Sequence, residues 1–104
     1  MEEKYLYQLA ELVLPSEVLR YFSIVRLEKD STLFRIYLDE KMETELLDDL
    51  HFESKGFMAV VDITDFPIRD HKVILSFRRR RWVDTRTGKS FSLPLPIDLT
   101  SSGT

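Results

Sequence analysis

Four consecutive arginines, Arg78 to Arg81, are the residues of this sequence best suited to binding another molecule. Guanidinium groups stay charged at physiological pH, and they match the geometry of phosphates and carboxylates. Trp82, the only tryptophan, follows at once, and aromatic rings beside arginines can stack on nucleic-acid bases. We expect Trp82 to anchor the core instead, because a lone tryptophan at a strand end usually does so.

The net charge of −3 on 104 residues conceals a strong asymmetry. Residues 1–54 hold six Lys or Arg against thirteen Asp or Glu, a balance of −7, whereas residues 55–104 hold nine against five, a balance of +4. A basic half of this kind favours a nucleic-acid or acidic partner. The arginines can also pair with acids of the first half, and that alternative stays open.

The sequence lacks the residues that metal binding, a phosphate-binding loop or metal-dependent catalysis would need. There is no cysteine, and His51 and His71 alone cannot complete a tetrahedral zinc site, so no metal is expected. Thr87-Gly88-Lys89-Ser90 lacks the earlier glycine of a phosphate-binding loop and is interpreted as a turn. Asp62, Asp65 and Asp70 have no large scaffold for two-metal catalysis, and the last two are assigned to turns. We therefore expect a protein without catalytic activity or cofactor.

Length and composition also indicate the number of domains, the absence of a membrane span and the compartment that we expect. Its length fits one domain, predicted over residues 1–97, with a tail at 98–104. No apolar run approaches the roughly 20 residues that span a bilayer, so no membrane association is expected. The absence of cysteine fits a reducing cytoplasm.

The elements that must position the arginines begin with helices. Tyr5, Leu6, Leu9, Leu12 and Val13 form one apolar stripe at helical spacing. Pro15 should end this helix near Leu14. Ser16 is then predicted to cap a second helix, from Glu17 to Phe22.

Period-two patterns follow the helices. Ile24 to Glu28 and Thr32 to Leu38 predict a hairpin about a Lys29-Asp30-Ser31 turn, with Phe34, Ile36 and Leu38 in the core. Further strands are predicted from Phe57 to Ile63, Lys72 to Val83 and Ser90 to Leu95, the last two joined by a turn containing Gly88. Leu46, Leu47 and Leu50 permit one helical turn. The predicted fold class is α+β: one or two N-terminal helices packed on a small antiparallel β-meander that ends in a basic hairpin.

Alternation along a strand constrains the arginine run. Neighbouring side chains point to opposite faces, so four guanidiniums cannot share one flat face. A projecting two-stranded ribbon with both faces wet removes the difficulty, and such a ribbon can enter a major groove or follow phosphates. The predicted nucleic-acid contacts are Arg69, Lys72, Arg78, Arg79, Arg80, Arg81, Arg86 and Lys89.

One stretch of this sequence resembles a known family. Asp65 to Trp82 is similar to the N-terminal region of bacterial insertion-sequence transposases, where a D-(L/F)-P-I turn leads into a strand ending in an arginine-rich aromatic stretch. Leu14 to Phe22, Ile36 to Lys41 and Ser54 to Phe57 also fit, so the resemblance covers roughly residues 14–91.

The resemblance implies a role in recognising the DNA at the ends of the element. In fuller family members this region is a zinc ribbon followed by a helix-turn-helix and a DDE-type nuclease domain. Here Val83 to Lys89 replaces the cysteine knuckle with a plain turn, and we expect no catalytic domain to follow. The resemblance therefore implies a zinc-free, separately encoded accessory module or a remnant of a transposase.

A second hypothesis belongs to a different class. The arginine strand or an exposed edge can dock onto an acidic partner, such as a separately encoded transposase catalytic subunit. The acidic half can equally bind the basic half of a second copy, giving a homodimer.

Overall fold

Two helices and seven strands form the structure, a computed structural model that describes residues 2–42 and 51–95. In chain order they are α1 (Glu2–Val13), α2 (Ser16–Tyr21), β1 (Phe22–Lys29), β2 (Leu33–Glu40), β3 (Phe52–Phe57), β4 (Val61–Ile68), β5 (His71–Arg78), β6 (Arg80–Asp84) and β7 (Lys89–Phe91). The predicted α+β class with N-terminal helices is confirmed.

The junction between α1 and α2 is set by Pro15. Pro15 is the N-cap of α2, with φ −58°, and its carbonyl accepts a 3.0 Å hydrogen bond from Val18 N. The predicted Ser16 cap is wrong, because Ser16 is already helical and no side chain caps α2. Phe22 has extended dihedrals and begins β1 instead of ending the helix.

α1 turns only part of its apolar stripe toward the sheet. Ala10 is fully buried, whereas Tyr5 is 75% exposed and Leu12 is 83% exposed. Leu6 and Leu9 lie between these extremes and pack against the core. One flank of the predicted stripe therefore remains open to solvent.

The larger sheet, sheet A, has the strand order β1-β2-β5-β4. Two antiparallel hairpins, β1–β2 and β4–β5, meet along a parallel β2–β5 pairing, so the sheet is mixed and not a simple meander. The parallel pairing requires a long connection, and residues 41–70 supply it, with β4 as its last part. β3 lies in that connection and belongs to the smaller sheet.

The core lies between the helices and one face of sheet A. Phe34, Ile36 and Leu38 of β2 are buried, as predicted from their alternation. Val73, Leu75 and Phe77 occupy the matching positions of β5, and the Phe77 ring meets that of Phe22 edge-to-face at 5.0 Å. Burial of these side chains supplies the main stabilisation of the domain.

Sheet B is antiparallel, with the order β3-β6-β7. Two predicted strands are each divided between the sheets: the run from Phe57 is interrupted at residues 58–60, and the run from Lys72 is interrupted at Arg79. Met58 N donates a 2.8 Å hydrogen bond to the Arg79 carbonyl, so the two interruptions lie side by side. Backbone that remains extended while changing partners gives no break in the sequence pattern.

The turns follow local chemistry. The Asp30 carboxylate accepts 2.8 Å hydrogen bonds from Thr32 N and Leu33 N, and these backbone donors hold the pKa of Asp30 below its usual value. Gly88 has φ 73°, as predicted. β4 continues through Ile68, which places Asp65 in a strand and leaves Arg69 and Asp70 as the turn.

The remaining predictions concern the end of the chain and the acidic segment. The last strand ends at Phe91, short of the predicted Leu95 and ahead of Pro94, which has no N–H for a ladder. The Leu46–Leu50 turn and the tail from residue 98 lie outside the described residues. Neither described helix is long and apolar enough to cross a membrane.

Gly88 offers a clean test of turn strain. A Cβ built on Gly88 meets nothing within 4 Å, so Gly88→Ala changes only the backbone preference. We expect Gly88→Ala to lower the free energy of unfolding by about 1 kcal/mol in urea titrations, because an L-residue is disfavoured at positive φ. Gly88→Asn should lose less, since Asn tolerates this region. Equal stability of Gly88→Ala and the wild type would contradict the assignment.

Candidate nucleic-acid interface

The arginine run crosses the junction between the two sheets. Arg78 ends β5, Arg79 lies between the strands, and Arg80 and Arg81 begin β6. The interruption at Arg79 ends the simple alternation expected for one continuous strand. Each of the four side chains therefore has its own surroundings.

Arg78 is held by a bidentate ion pair with Asp39. Its Nε lies 2.8 Å from Oδ1 and its Nη2 lies 2.6 Å from Oδ2. Both bonds join a guanidinium to a carboxylate and are charge-assisted, and the hydrogen bonds to Asp39 raise the pKa of Arg78. The guanidinium carbon also lies 4.1 Å from the centre of the Phe57 ring. Arg78 is thus engaged within the protein.

Arg80 contacts the same aromatic ring and the end of β2. Its guanidinium carbon lies 4.6 Å from the Phe57 centroid, and its Nε donates a 2.8 Å hydrogen bond to the Glu40 carbonyl. Its Nη1 donates to Ser54 Oγ at 3.0 Å. Arg80 therefore joins β2, β3 and β6.

Arg79 is the third engaged arginine. Its Nη2 donates a hydrogen bond to the Leu93 carbonyl, and its Nε lies 3.6 Å from Glu40 Oε1. The Nε is buried and has no hydrogen-bond partner among the described residues, because 3.6 Å is an ion-pair distance and too long for a hydrogen bond. The contact with Glu40 is therefore mainly electrostatic.

The buried carboxylate of Glu40 organises this junction. Glu40 is 1% exposed; its Oε2 accepts a 2.9 Å bond from Trp82 Nε1, and its Oε1 accepts a 3.1 Å bond from Arg80 N. Trp82 is also 1% exposed, which confirms the expected core role and removes it as a base-stacking platform. Sequence reasoning missed Glu40, since it was one of thirteen acids in its half and no local motif marks it.

Arg81 differs from its three neighbours because it is exposed, and its guanidinium has no carboxylate partner among the described residues. Its Nη1 donates to Ser90 Oγ at 3.1 Å, and its Nη2 donates to the Lys55 carbonyl at 3.1 Å. These neutral partners leave the positive charge uncompensated. Because side chains alternate along β6, Arg81 lies on the face opposite the buried Trp82, which is the outer face of sheet B.

The β6–β7 turn adds two further cations. Arg86 pairs with Asp84, at 3.0 Å from Nε to Oδ1 and 3.1 Å from Nη2 to Oδ2, and the hydrogen bonds from Arg86 lower the pKa of Asp84. Lys89 is exposed and has no ion pair in residues 2–42 and 51–95. Lys55, on β3, pairs at 3.0 Å with Glu53, and both side chains are about half exposed.

We call Lys55, Arg81, Arg86 and Lys89 the hairpin surface. Sheet B and its connecting turn, residues 52–57 and 80–91, carry five Lys or Arg against two carboxylates, Glu53 and Asp84. Arg80 is the one cation of the five that is not exposed. The exposed excess of positive charge in the described chain is therefore concentrated on this sheet.

The structure does not bring Arg69 and Lys72 to the hairpin surface. Arg69 lies in the β4–β5 turn and Lys72 at the start of β5, whereas β6 follows the other end of β5. A strand of this length separates the two groups by on the order of 25 Å. The eight predicted contacts thus divide into three engaged arginines, a distant pair, and the exposed trio of Arg81, Arg86 and Lys89.

The predicted free ribbon is wrong. β6 has β3 on one side and β7 on the other, so the ribbon has a third strand. Its inner face packs Trp82, and the rings of Phe52 and Phe91 meet edge-to-face at 4.8 Å. The outer face, with Lys55 and Arg81, is open to a ligand, and so is the turn end of the sheet, where Arg86 and Lys89 lie exposed.

The acidic residues form no competing centre in the described part of the chain. Asp62 Oδ1 accepts a 2.6 Å hydrogen bond from Ser76 Oγ, and Arg35 Nη1 lies 3.3 Å from Asp62 Oδ2. No three His, Asp or Glu side chains of residues 2–42 and 51–95 are grouped so that they could hold a metal ion. These carboxylates serve the polar face of sheet A.

Comparison of the chain with protein-family models, with curated proteins and with solved structures finds no match. The resemblance to transposase N-terminal regions therefore rests on the motifs of the sequence alone.

Substitution of Glu40 tests the junction. In Glu40→Gln one carboxylate oxygen becomes an NH₂ group, so either Trp82 Nε1 or Arg80 N faces a donor, and Arg79 loses its counter-charge. We expect the free energy of unfolding to fall by about 3 kcal/mol, as for other broken buried pairs, with a red shift of Trp82 fluorescence. Urea titration followed by tryptophan emission measures both.

Glu53→Gln is the matched control. It removes a carboxylate from an exposed pair of the same sheet, and its effect should stay within about 0.5 kcal/mol. Equal losses from the two variants would show that Glu40 has no special role at the junction.

Proposed function

We propose that this chain is a non-catalytic DNA-binding module of a transposase, and that it contacts DNA through the hairpin surface. The observation that carries the proposal is the exposure of Arg81 and Lys89, without a carboxylate partner among the described residues, on one sheet with Arg86 and Lys55. Exposed cations on one rigid element are the groups that neutralise phosphates.

The engaged arginines have a supporting role in this proposal. Contact between Arg78 and a phosphate would require loss of its bidentate pair with Asp39, and Arg80 would lose Ser54 and the Glu40 carbonyl. Arg78 and Arg80 are only partly exposed and also lie against the Phe57 ring, so a DNA phosphate would offer little advantage over these partners. The pairs of Arg86 and Lys55 join residues two positions apart on the exposed surface, where an ion pair is weak and a phosphate can replace the carboxylate. Arg78, Arg79 and Arg80 therefore hold sheet B in place while the hairpin surface binds.

The shape of sheet B favours backbone contact over base reading. Its inner face is filled by Trp82, so the sheet cannot be surrounded by a groove on both faces. The outer face and the turn at residues 85–88 can lie along the phosphates, with Arg86 at the tip closest to a groove. We thus infer strong salt dependence and a modest sequence preference.

The assignment to a transposase depends on the sequence resemblance. The segment Asp65 to Ile68 and the arginine–tryptophan block are the pieces that carry it. The first was predicted as a turn but forms the end of β4, just before the turn at residues 69–70, and the second joins the sheets. In this proposal the catalytic chemistry belongs to a separate subunit, to which the module would bring DNA.

The salt dependence of DNA binding tests the proposal. If the four cations of the hairpin surface each neutralise one phosphate, log K should fall with log[salt] at a slope of about −3.6. The triple variant Arg81→Gln/Arg86→Gln/Lys89→Gln should reduce the slope to about −0.9. Fluorescence anisotropy with a labelled duplex carrying insertion-element ends, titrated at several salt concentrations, gives both values.

The control for this test is Arg69→Gln/Lys72→Gln, which removes two cations at the other end of β5. Its slope should equal that of the wild type. A flat salt response, or equal losses from the control and the triple variant, would contradict the proposed surface. Unchanged DNA binding with a smaller molecular mass in the triple variant would instead assign the hairpin surface to self-association.

A further inference from the structure

A groove of about 560 Å³ lies at the end of sheet A away from the hairpin surface. Leu6 and Leu9 of α1 and Ile68 at the end of β4 form its apolar wall. Lys29 and Arg69, from the two hairpin turns, and His71 form its basic side. The volume falls within the range of ordinary small-molecule sites.

The basic side of the groove has unused binding capacity. Neither Lys29 nor Arg69 forms an ion pair or a side-chain hydrogen bond within residues 2–42 and 51–95, and His71 Nε2 is buried there without a hydrogen-bond partner. The nearby Asp30 carboxylate is occupied by the amides of Thr32 and Leu33. A buried polar atom without a partner is uncommon in a folded protein and marks a position where a ligand can supply one.

The backbone conformation of Arg69 is a further unusual feature of the groove. Arg69 has φ 54°, the only positive φ among the described residues other than glycine. Glycine or asparagine would suit this turn better, and a long side chain at such a position costs on the order of 1 kcal/mol. Arg69 thus lies at the rim of the groove in a backbone conformation that its residue type disfavours.

The apolar side has a second open element. Tyr5 also borders the groove and is 75% exposed, although it belongs to the apolar stripe of α1. A ligand with an apolar body would cover the Tyr5 ring together with Leu9. In the free chain sheet A does not cover the Tyr5 ring, which is left exposed to solvent.

We propose that this groove binds a small organic carboxylate with an alkyl or aromatic body. The body lies against Leu6, Leu9 and Ile68, and the carboxylate pairs with Lys29 and Arg69. His71 Nε2 supplies a hydrogen bond at the inner end of the basic side. This site is separate from the hairpin surface and does not depend on DNA binding.

Isothermal titration with decanoate, decanol and decylamine tests the proposal. We expect saturable one-to-one binding of decanoate, with binding of decanol and decylamine at least about tenfold weaker, since a hydrogen-bonded charge contact is lost. Lys29→Gln and Arg69→Gly should each weaken decanoate binding roughly tenfold. Arg69→Gly also relieves the turn, so a folding defect cannot account for the loss.

Tyr5→Ser and Lys41→Gln complete the set. Tyr5→Ser removes an exposed ring and should weaken decanoate and decanol alike, whereas Lys41→Gln removes a cation beyond the far end of β2 and should bind as the wild type does. Absence of saturable decanoate binding, equal binding of decanol, or unchanged binding by both Lys29→Gln and Arg69→Gly would overturn the proposal.

Discussion

The structure depends on one buried carboxylate. Glu40 ends β2 in the middle of sheet A, and its two oxygens take the Trp82 indole N–H and the Arg80 amide of sheet B. A carboxylate with 1% exposure is tolerated only where donors and a counter-charge surround it, and Arg79 supplies the charge. These contacts fix the orientation of sheet B relative to sheet A. They therefore also set where the exposed cations of sheet B lie.

The members of the arginine run consequently have two different environments, one internal and one exposed. Arg78 and Arg79 form ion pairs with Asp39 and Glu40, which end β2, and Arg80 donates to the Glu40 carbonyl. Two charges of the acidic half are thus paired with two of the basic half at the junction. Arg81 is only one residue further along, yet it lies on the opposite face and has neutral partners. Internal contacts therefore account for the first three members of the run and leave Arg81 exposed. In our proposal the first three residues make the surface rigid and the last one belongs to it.

Much of the local structure was predictable from the sequence. The two helices, the β1–β2 hairpin and the Gly88 turn follow from period, proline, aspartate and glycine, which act over a few residues. The candidate site was harder to predict from the sequence. The exposed cations at Arg81, Arg86 and Lys89 were among those predicted, but so were Arg78, Arg79 and Arg80, and nothing in their identities separates them. Glu40 was missed because its partners lie about forty positions away along the chain.

The sequence by itself determined where the chain is helical or extended, which alternate residues of β2 form the core, and that positive charge collects in its second half. Those properties depend on side-chain type and spacing, which are local. Only the tertiary structure decided that β2 pairs in parallel with β5, that the strand carrying the arginines changes sheets at Arg79, and that Lys29, Arg69 and His71 share a groove. Those properties depend on which distant segments meet. An extended backbone keeps the same pattern whichever partner it has, so the partner is set by packing around Glu40 and the core.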